Sequence, residues 1–173
     1  MKNYKQLLKN INTFIFDFDG VLSDGNVITT ADGEQLRVGS VKDGYAIQHA
    51  IKNKFRIVII SGGNSVSMTK RCEALGITDC YFSVSDKQKM LRDFLDHNNI
   101  SPETTIFMGD DIPDYKAMQE VILPVCPADA CNEIKSISKY ISPFNGGRGC
   151  VRDIIEQVLK VQKKWMNENA FYW

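Results

Sequence analysis

Short runs of apolar, mostly β-branched or aromatic residues recur along the chain: TFIFDF (13–18), RIVIIS (56–61), DCYF (79–82), TTIFMG (104–109), VILPV (121–125) and KYIS (139–142). Near-continuous apolar content over so few residues is the pattern of a strand buried on both faces. The intervening stretches, 43–53, 65–75, 86–98, 112–119, 128–135 and 148–166, suit helices. Strand alternating with helix predicts the α/β class, a doubly wound parallel sheet covered on both sides. One segment breaks the rhythm: VITTADGEQLRV (27–38) reads as strand, Asp-Gly turn, strand, hence a β-hairpin between the first core strand and the first long helix. That insertion, about residues 21–40, is too small to be a domain. Without repeats, low-complexity segments or linkers, residues 1–173 are expected to form one domain ending in a tail at about 166–173.

Composition narrows the partners. A chain of 173 residues with 43% apolar content can bury a core without staples. Lys plus Arg equals Asp plus Glu at 21 each, so no overall field recruits nucleic acid or an anionic membrane, and an anionic substrate needs a local site. The start, MKNYKQLLKNIN, lacks the apolar core of a secretory signal, and no apolar run reaches membrane-spanning length. The expectation is a cytoplasmic protein with neither nucleic-acid nor membrane partners. Cys72, Cys80, Cys126, Cys131 and Cys150 form no C-x-x-C and have no neighbouring His, which favours reduced, mostly buried thiols over zinc ligands or disulfides.

The candidate chemistry begins with FIFDFDGVLSDG (14–25). Residues two apart on a strand share a face, so Asp17 and Asp19 are expected to project together at the carboxyl end of the first core strand, with Gly20 turning the chain. Open α/β sheets bind ligands there. Two close carboxylates repel and need a cation or a proton between them. A calcium loop is excluded, because Val21 and Leu22 stand where it requires an acid or amide and a glycine. Capping of a strand end accounts for D-x-D equally well by itself. RIVIIS runs into Ser61-Gly62-Gly63-Asn64-Ser65, which offers a hydroxyl and free N–H groups to an anion or is an ordinary helix N-cap. Lys87 begins a helix, either as a site cation or as solvated surface. TTIFMG ends in Gly109-Asp110-Asp111-Ile112-Pro113-Asp114, a second acidic cluster in which Asp114 could cap the next helix.

In chain order these give D-x-D, Ser-Gly, Lys and G-D-D-x-x-D, which together resemble the haloacid dehalogenase superfamily of phosphohydrolases over essentially the whole chain. The resemblance implies a Rossmann-like fold and Mg²⁺ held by the Asp17 and Asp110 side chains and the Asp19 carbonyl. It also implies that Asp17 is a nucleophile forming an aspartyl-phosphate and that Asp19 is the proton carrier. Ser61, the Gly62 N–H and Lys87 would hold the transferring oxygens, with Asp111 and Asp114 orienting the metal shell.

There is no room for a cap domain after either the first motif or the third strand. DFDGVLSDG, the hairpin, SVKDGYAIQ, the RCEALGI run, SDKQKML, GDDIPD and GGRGCVRD are similar to the capless, tetrameric 3-deoxy-D-manno-octulosonate 8-phosphate phosphatases of lipopolysaccharide biosynthesis. That likeness implies a homotetramer built through a barrel of hairpins and a small-molecule sugar phosphate substrate. It implies a pocket lined by Ser40, Val41, Lys42, Asp43 and Gly44, with Arg71 and Lys87 as cationic contacts. Gly63, Gln48 and Ser40 depart from the usual eight-carbon pattern, so nine-carbon sialic-acid-type 9-phosphates remain an alternative. Other classes are a signalling receiver domain, which would place its aspartate on the third strand, and a catalytically silent subunit. Asp24 reads as a turn former. Arg148 either faces substrate or turns the chain, and Trp165, Phe171, Tyr172 and Trp173 either pack on their own domain or reach a neighbour's site.

Overall fold

The computed structural model describes residues 3–172. Its strands are β1 (Thr13–Phe16), β2 (Ile28–Thr29), β3 (Gln35–Leu36), β4 (Arg56–Ile60), β5 (Asp79–Tyr81), β6 (Thr105–Met108), β7 (Leu123–Cys126) and β8 (Tyr140–Ile141). Its helices are α1 (Tyr4–Leu7), α2 (Val41–Lys52), α3 (Val66–Leu75), α4 (Lys87–His97), α5 (Tyr115–Met118), α6 (Asn132–Ile137) and α7 (Cys150–Val161). Six strands form one sheet in the order β5-β4-β1-β6-β7-β8, every pair parallel, while β2 and β3 pair antiparallel as the expected hairpin.

Both sheet faces are buried, and alternation along each strand decides which layer a residue joins. Phe14, Phe16, Ile57 and Ile59 pack with Ile47 of α2, Met68 of α3 and Ile154 of α7. Ile15, Val58, Ile60 and Phe107 pack with Leu91 of α4, Met118 of α5 and Ile134 of α6. This two-sided burial explains the continuous apolar runs. The register sets Phe16 opposite Ile59 and Met108, so the carboxyl ends of β1, β4 and β6 align where the strand order reverses.

Several boundaries differ from expectation for local reasons. The run 13–18 stops as a strand at Phe16, because Phe18–Leu22 coils into a wide turn closed by Ser23 N–H donating to Phe18 O at 2.9 Å. Residues 112–119 divide into a 3₁₀ turn at Ile112–Asp114, opened by Pro113, and α5. The last helix begins only at Cys150, since Gly147 and Gly149 hold φ of 61° and 115°, and it ends before Lys163 at φ 58°. The short α1 lies where no element was expected.

Beyond α7 the described chain folds back onto α2. Tyr45 Oη donates to Ala170 O at 2.5 Å, Lys52 Nζ donates to Tyr172 O at 2.6 Å, and Trp165 is buried. Phe171 and Tyr172 leave their rings exposed, and Trp173 lies outside the described residues. No described helix is long and apolar enough to cross a membrane.

Candidate active site

Loops leaving β1, β4 and β6, with the start of α4, line a cleft of about 460 Å³ that brings together Asp17, Asp19, Ser61, Gly62, Lys87 and Asp110. Asp17 follows β1 directly. Its N–H donates to Met108 O at 3.0 Å, and its Oδ1 accepts from Phe18 N–H at 2.7 Å. Lys87 is the first residue of α4, yet its side chain is only 5% exposed, and Nζ donates to Asp17 Oδ1 at 2.9 Å and Asp114 Oδ1 at 2.7 Å. Of the two roles open to Lys87, solvated surface is excluded by this burial.

Asp114 occupies the cap position of α5 but makes no side-chain cap there. Its Oδ2 accepts instead from Asp110 N–H at 3.1 Å and from Asp111 N–H at 3.5 Å, folding the acidic loop around itself while Oδ1 holds Lys87. Gly20 makes the remaining approach possible. At φ 83° it comes so close to Asp110 that a Cβ would lie 2.1 Å from Oδ2, which no other residue tolerates.

Carboxylate oxygens of Asp17, Asp110 and Asp114 lie within 4.8 Å of one another. Burial first, then the facing Asp114 carboxylate, pushes Asp17 up to about 7 against the pull of Lys87. Asp110 is pushed up to about 7 by burial and then by Asp17 and Asp114. Burial alone would lower the Lys87 pKa, but Asp17 and Asp114 outweigh it and the net direction is upward. Hard oxygen donors crowded in this way fit a hard divalent cation such as Mg²⁺. Asp17, Asp110 and Asp114 each offer such a cation a carboxylate oxygen, Asp114 while also accepting from Lys87 and from the Asp110 and Asp111 N–H groups.

Asp19 departs from the expected geometry. With β1 ended at Phe16, its side chain does not share a strand face with Asp17; it turns to Arg37 and Ser23. Arg37 Nε donates to Asp19 Oδ1 at 3.0 Å and Nη2 to Oδ2 at 3.2 Å, while Ser23 Oγ donates to Oδ1 at 3.2 Å. Ser61 is buried, and its Oγ accepts from Gly63 N–H at 3.2 Å, leaving its own O–H to donate. The N-cap of α3 is Ser65, not Ser61.

The expected pocket residues separate. Ser40, Val41, Asp43, Gly44 and Arg71 line an adjoining cavity of about 300 Å³ together with Arg37. There Arg71 Nη2 donates to Ser40 O at 3.2 Å, and a Cβ on Gly44 would lie 2.7 Å from that nitrogen. Lys42 lines a different cavity with Arg148 and Arg152. Asp43 is buried, with Oδ1 accepting from Arg152 N–H at 2.7 Å and Oδ2 from Gly149 N–H at 3.1 Å, so it ties α2 to the start of α7. Asp24 Oδ1 accepts from Asn26 N–H at 3.1 Å, a turn contact, and Oδ2 from Arg148 Nη2 at 3.0 Å. Arg37 was absent from the sequence-based candidates. Its signal was weak: in the alternating hairpin it falls on the face opposite Leu36 and Val38.

Residues 83–154 match the model of the haloacid dehalogenase-like hydrolases. The fold and the acidic cleft at its strand ends agree with that class. The 3-deoxy-D-manno-octulosonate 8-phosphate phosphatase of Escherichia coli (strain K12) is 37% identical over 156 residues, covering 90% of this chain and 83% of that protein. The crystal structure of the Yersinia pestis 3-deoxy-D-manno-octulosonate 8-phosphate phosphatase superposes with a TM-score of 0.91 at 34% identity, covering 94% of this chain and 88% of that one. The Moraxella catarrhalis phosphatase of the same name, solved with magnesium, phosphate and KDO, gives a TM-score of 0.90 at 31% identity and covers 94% of each chain. The chain belongs to the 3-deoxy-D-manno-octulosonate 8-phosphate phosphatase family.

Proposed function

We propose that the protein hydrolyses 3-deoxy-D-manno-octulosonate 8-phosphate to the free eight-carbon sugar acid and phosphate. The observation carrying this reading is the buried Asp17–Lys87–Asp114 chain beside Asp110 in a cleft at the strand ends, together with the family's substrate. Asp17 attacks phosphorus and forms an aspartyl-phosphate. As the phosphorus–oxygen bond to the sugar breaks, its electron pair stays on the sugar oxygen, which takes a proton from Asp19. In the second half a water attacks phosphorus and gives its proton to Asp19, the bond to Asp17 breaks, and phosphate leaves.

Lys87, the Ser61 hydroxyl and the Gly62 N–H hold the phosphoryl oxygens where charge spreads in the transition state. Asp17, Asp110 and the Asp19 carbonyl would hold Mg²⁺, which supplies the positive charge that lets a carboxylate approach a phosphate dianion. Asp111 and Asp114 keep this arrangement in place. Ser40, Val41, Gly44 and Arg71 bound the sugar-binding region, with Asp43 shaping its wall and Lys42 facing the neighbouring cavity. Exposed Val27, Ile28, Leu36 and Val38 on the hairpin support assembly into a homotetramer, each chain acting as one domain. The free cysteines fit a reducing compartment, the cytoplasm.

The deciding measurement is steady-state hydrolysis of the eight-carbon substrate, a nine-carbon sugar-acid 9-phosphate and a hexose phosphate, each with and without Mg²⁺. Preference for the eight-carbon compound supports the assignment, and preference for the nine-carbon one replaces it. Equal low rates on all three reject the substrate while leaving the chemistry to be judged by Asp17→Asn, which should abolish turnover with the fold intact.

A further inference from the structure

Asp19 lines the catalytic cleft alongside Gly63, whereas the two side chains that hold it, Arg37 and Ser23, line the neighbouring cavity. The carboxylate is thus gripped from one side and presented on the other. Its oxygens are unequal. Among the described residues Oδ1 takes two donors, Arg37 Nε at 3.0 Å and Ser23 Oγ at 3.2 Å, while Oδ2 takes one, Arg37 Nη2, at 3.2 Å. A carboxyl oxygen held by two donors stays an acceptor whether or not the group is protonated, so Oδ2 is the atom left to carry the proton.

The space around Oδ2 agrees. A Cβ on residue 63 would lie 2.8 Å from Asp19 Oδ2 and 3.4 Å from Arg37 Nη2, so the side-chain-free Gly63 admits the pair to the cleft wall. Arg37 is itself fixed. Its side chain is 6% exposed, and Nη1 donates to Gln35 O at 2.9 Å. The hairpin that carries it is tied to α3 by Ser67, whose N–H donates to Glu34 Oε1 at 3.0 Å and whose Oγ donates to Gln35 O at 2.8 Å. Burying a guanidinium in a surface hairpin needs a reason, and the two-point fork on a working carboxylate supplies one.

We propose that Arg37 is a positioning residue for proton transfer: with Ser23 it clamps Asp19 Oδ1, so that Oδ2 delivers the proton to the leaving sugar oxygen. The hairpin then serves the active site of its own chain as well as its outward apolar face. The inference rests on Asp19 being the proton carrier.

A sugar alkoxide needs that proton to leave, whereas 4-nitrophenolate departs without one. The test compares kcat/KM on 3-deoxy-D-manno-octulosonate 8-phosphate and on 4-nitrophenyl phosphate for wild type, Asp19→Asn, Arg37→Ala, Arg37→Lys and Ser23→Ala. Arg37→Ala should lower the sugar-phosphate value by about 10²-fold, the scale of a misplaced catalytic group, while changing the aryl value by less than about 3-fold. Retained aryl kcat/KM, which ends at formation of the aspartyl-phosphate and so precedes the water's loss of a proton to Asp19, also reports that the variant is folded. Arg37→Lys should recover part of the loss, and Ser23→Ala should show the same split at smaller size, deciding the matter if Arg37→Ala does not fold. Equal losses on both substrates in Arg37→Lys and Ser23→Ala, with the split present in Asp19→Asn, overturn the clamp alone. Absence of the split in Asp19→Asn overturns the proton-carrier reading, and the clamp with it.

Discussion

Lys87 donates from a side chain that is 5% exposed to Asp17 Oδ1 at 2.9 Å, so the proposed nucleophile and the cation nearest to it are locked together before substrate arrives. The same ammonium holds Asp114, so removing it leaves both carboxylates buried without their cation. Lys87→Met should cut kcat/KM by about 10²- to 10³-fold, the scale for losing one donor to transition-state charge. Breaking a buried pair from one side costs about 3–5 kcal/mol, so the melting temperature should fall too. Kinetics with a phosphate monoester and thermal unfolding of the same preparation check both effects. A fully active Lys87→Met would remove the residue from the site.

The pKa shifts make the cation-free protein sensitive to pH. Asp17 and Asp110 are pushed up to about 7 by burial and by their neighbouring carboxylates. A carboxyl whose folded-state pKa lies above its unfolded value stabilises the fold fully below the unfolded pKa and loses that contribution as pH rises through the folded one. Lys87 shifts upward from an already high value and titrates above this window. In EDTA, melting temperature should therefore decline between about pH 4 and pH 8. Saturating Mg²⁺ should flatten that decline, because it takes over the charge that protons otherwise offset. Asp110→Asn should flatten it without Mg²⁺. Thermal scans across that range, with and without the cation, read the slope directly.

The parts of this site that follow from local rules were legible in the sequence. Asp17 and Asp110 terminate apolar strand runs, and a parallel sheet with its order reversing beside β1 must bring such ends together. The direction of Asp19 was not legible, because it depends on where β1 stops. The strand pattern continues through Phe18, whereas the wide turn at Phe18–Leu22 has already taken over. The place of Asp114 before α5 allows a cap there, but its carboxylate is claimed by Lys87 and the Asp110 N–H, partners distant in sequence or hidden in backbone geometry. Arg37 sits among exposed hairpin residues, and its partner Asp19 reaches it only through the tertiary approach over Gly63. The late start of α7 turns on left-handed glycines, which periodicity cannot see.

Asp43 separates a structural role from a binding role. It borders the cavity next to the cleft, but both of its oxygens accept N–H groups from Gly149 and Arg152 at the start of α7. Burial pushes its pKa up, while those two N–H groups pull it down by less. An acceptor tied so fully to backbone has little left for a sugar. Asp43→Ala should therefore destabilise the fold by about 1–3 kcal/mol, the cost of stranding buried donors at a helix start. KM for the sugar phosphate should stay within about 2-fold, since uniform binding energy is lost only when a substrate contact is removed. Denaturant unfolding gives the first quantity and steady-state kinetics on the folded fraction the second. A large rise in KM with unchanged stability would instead make Asp43 a substrate ligand.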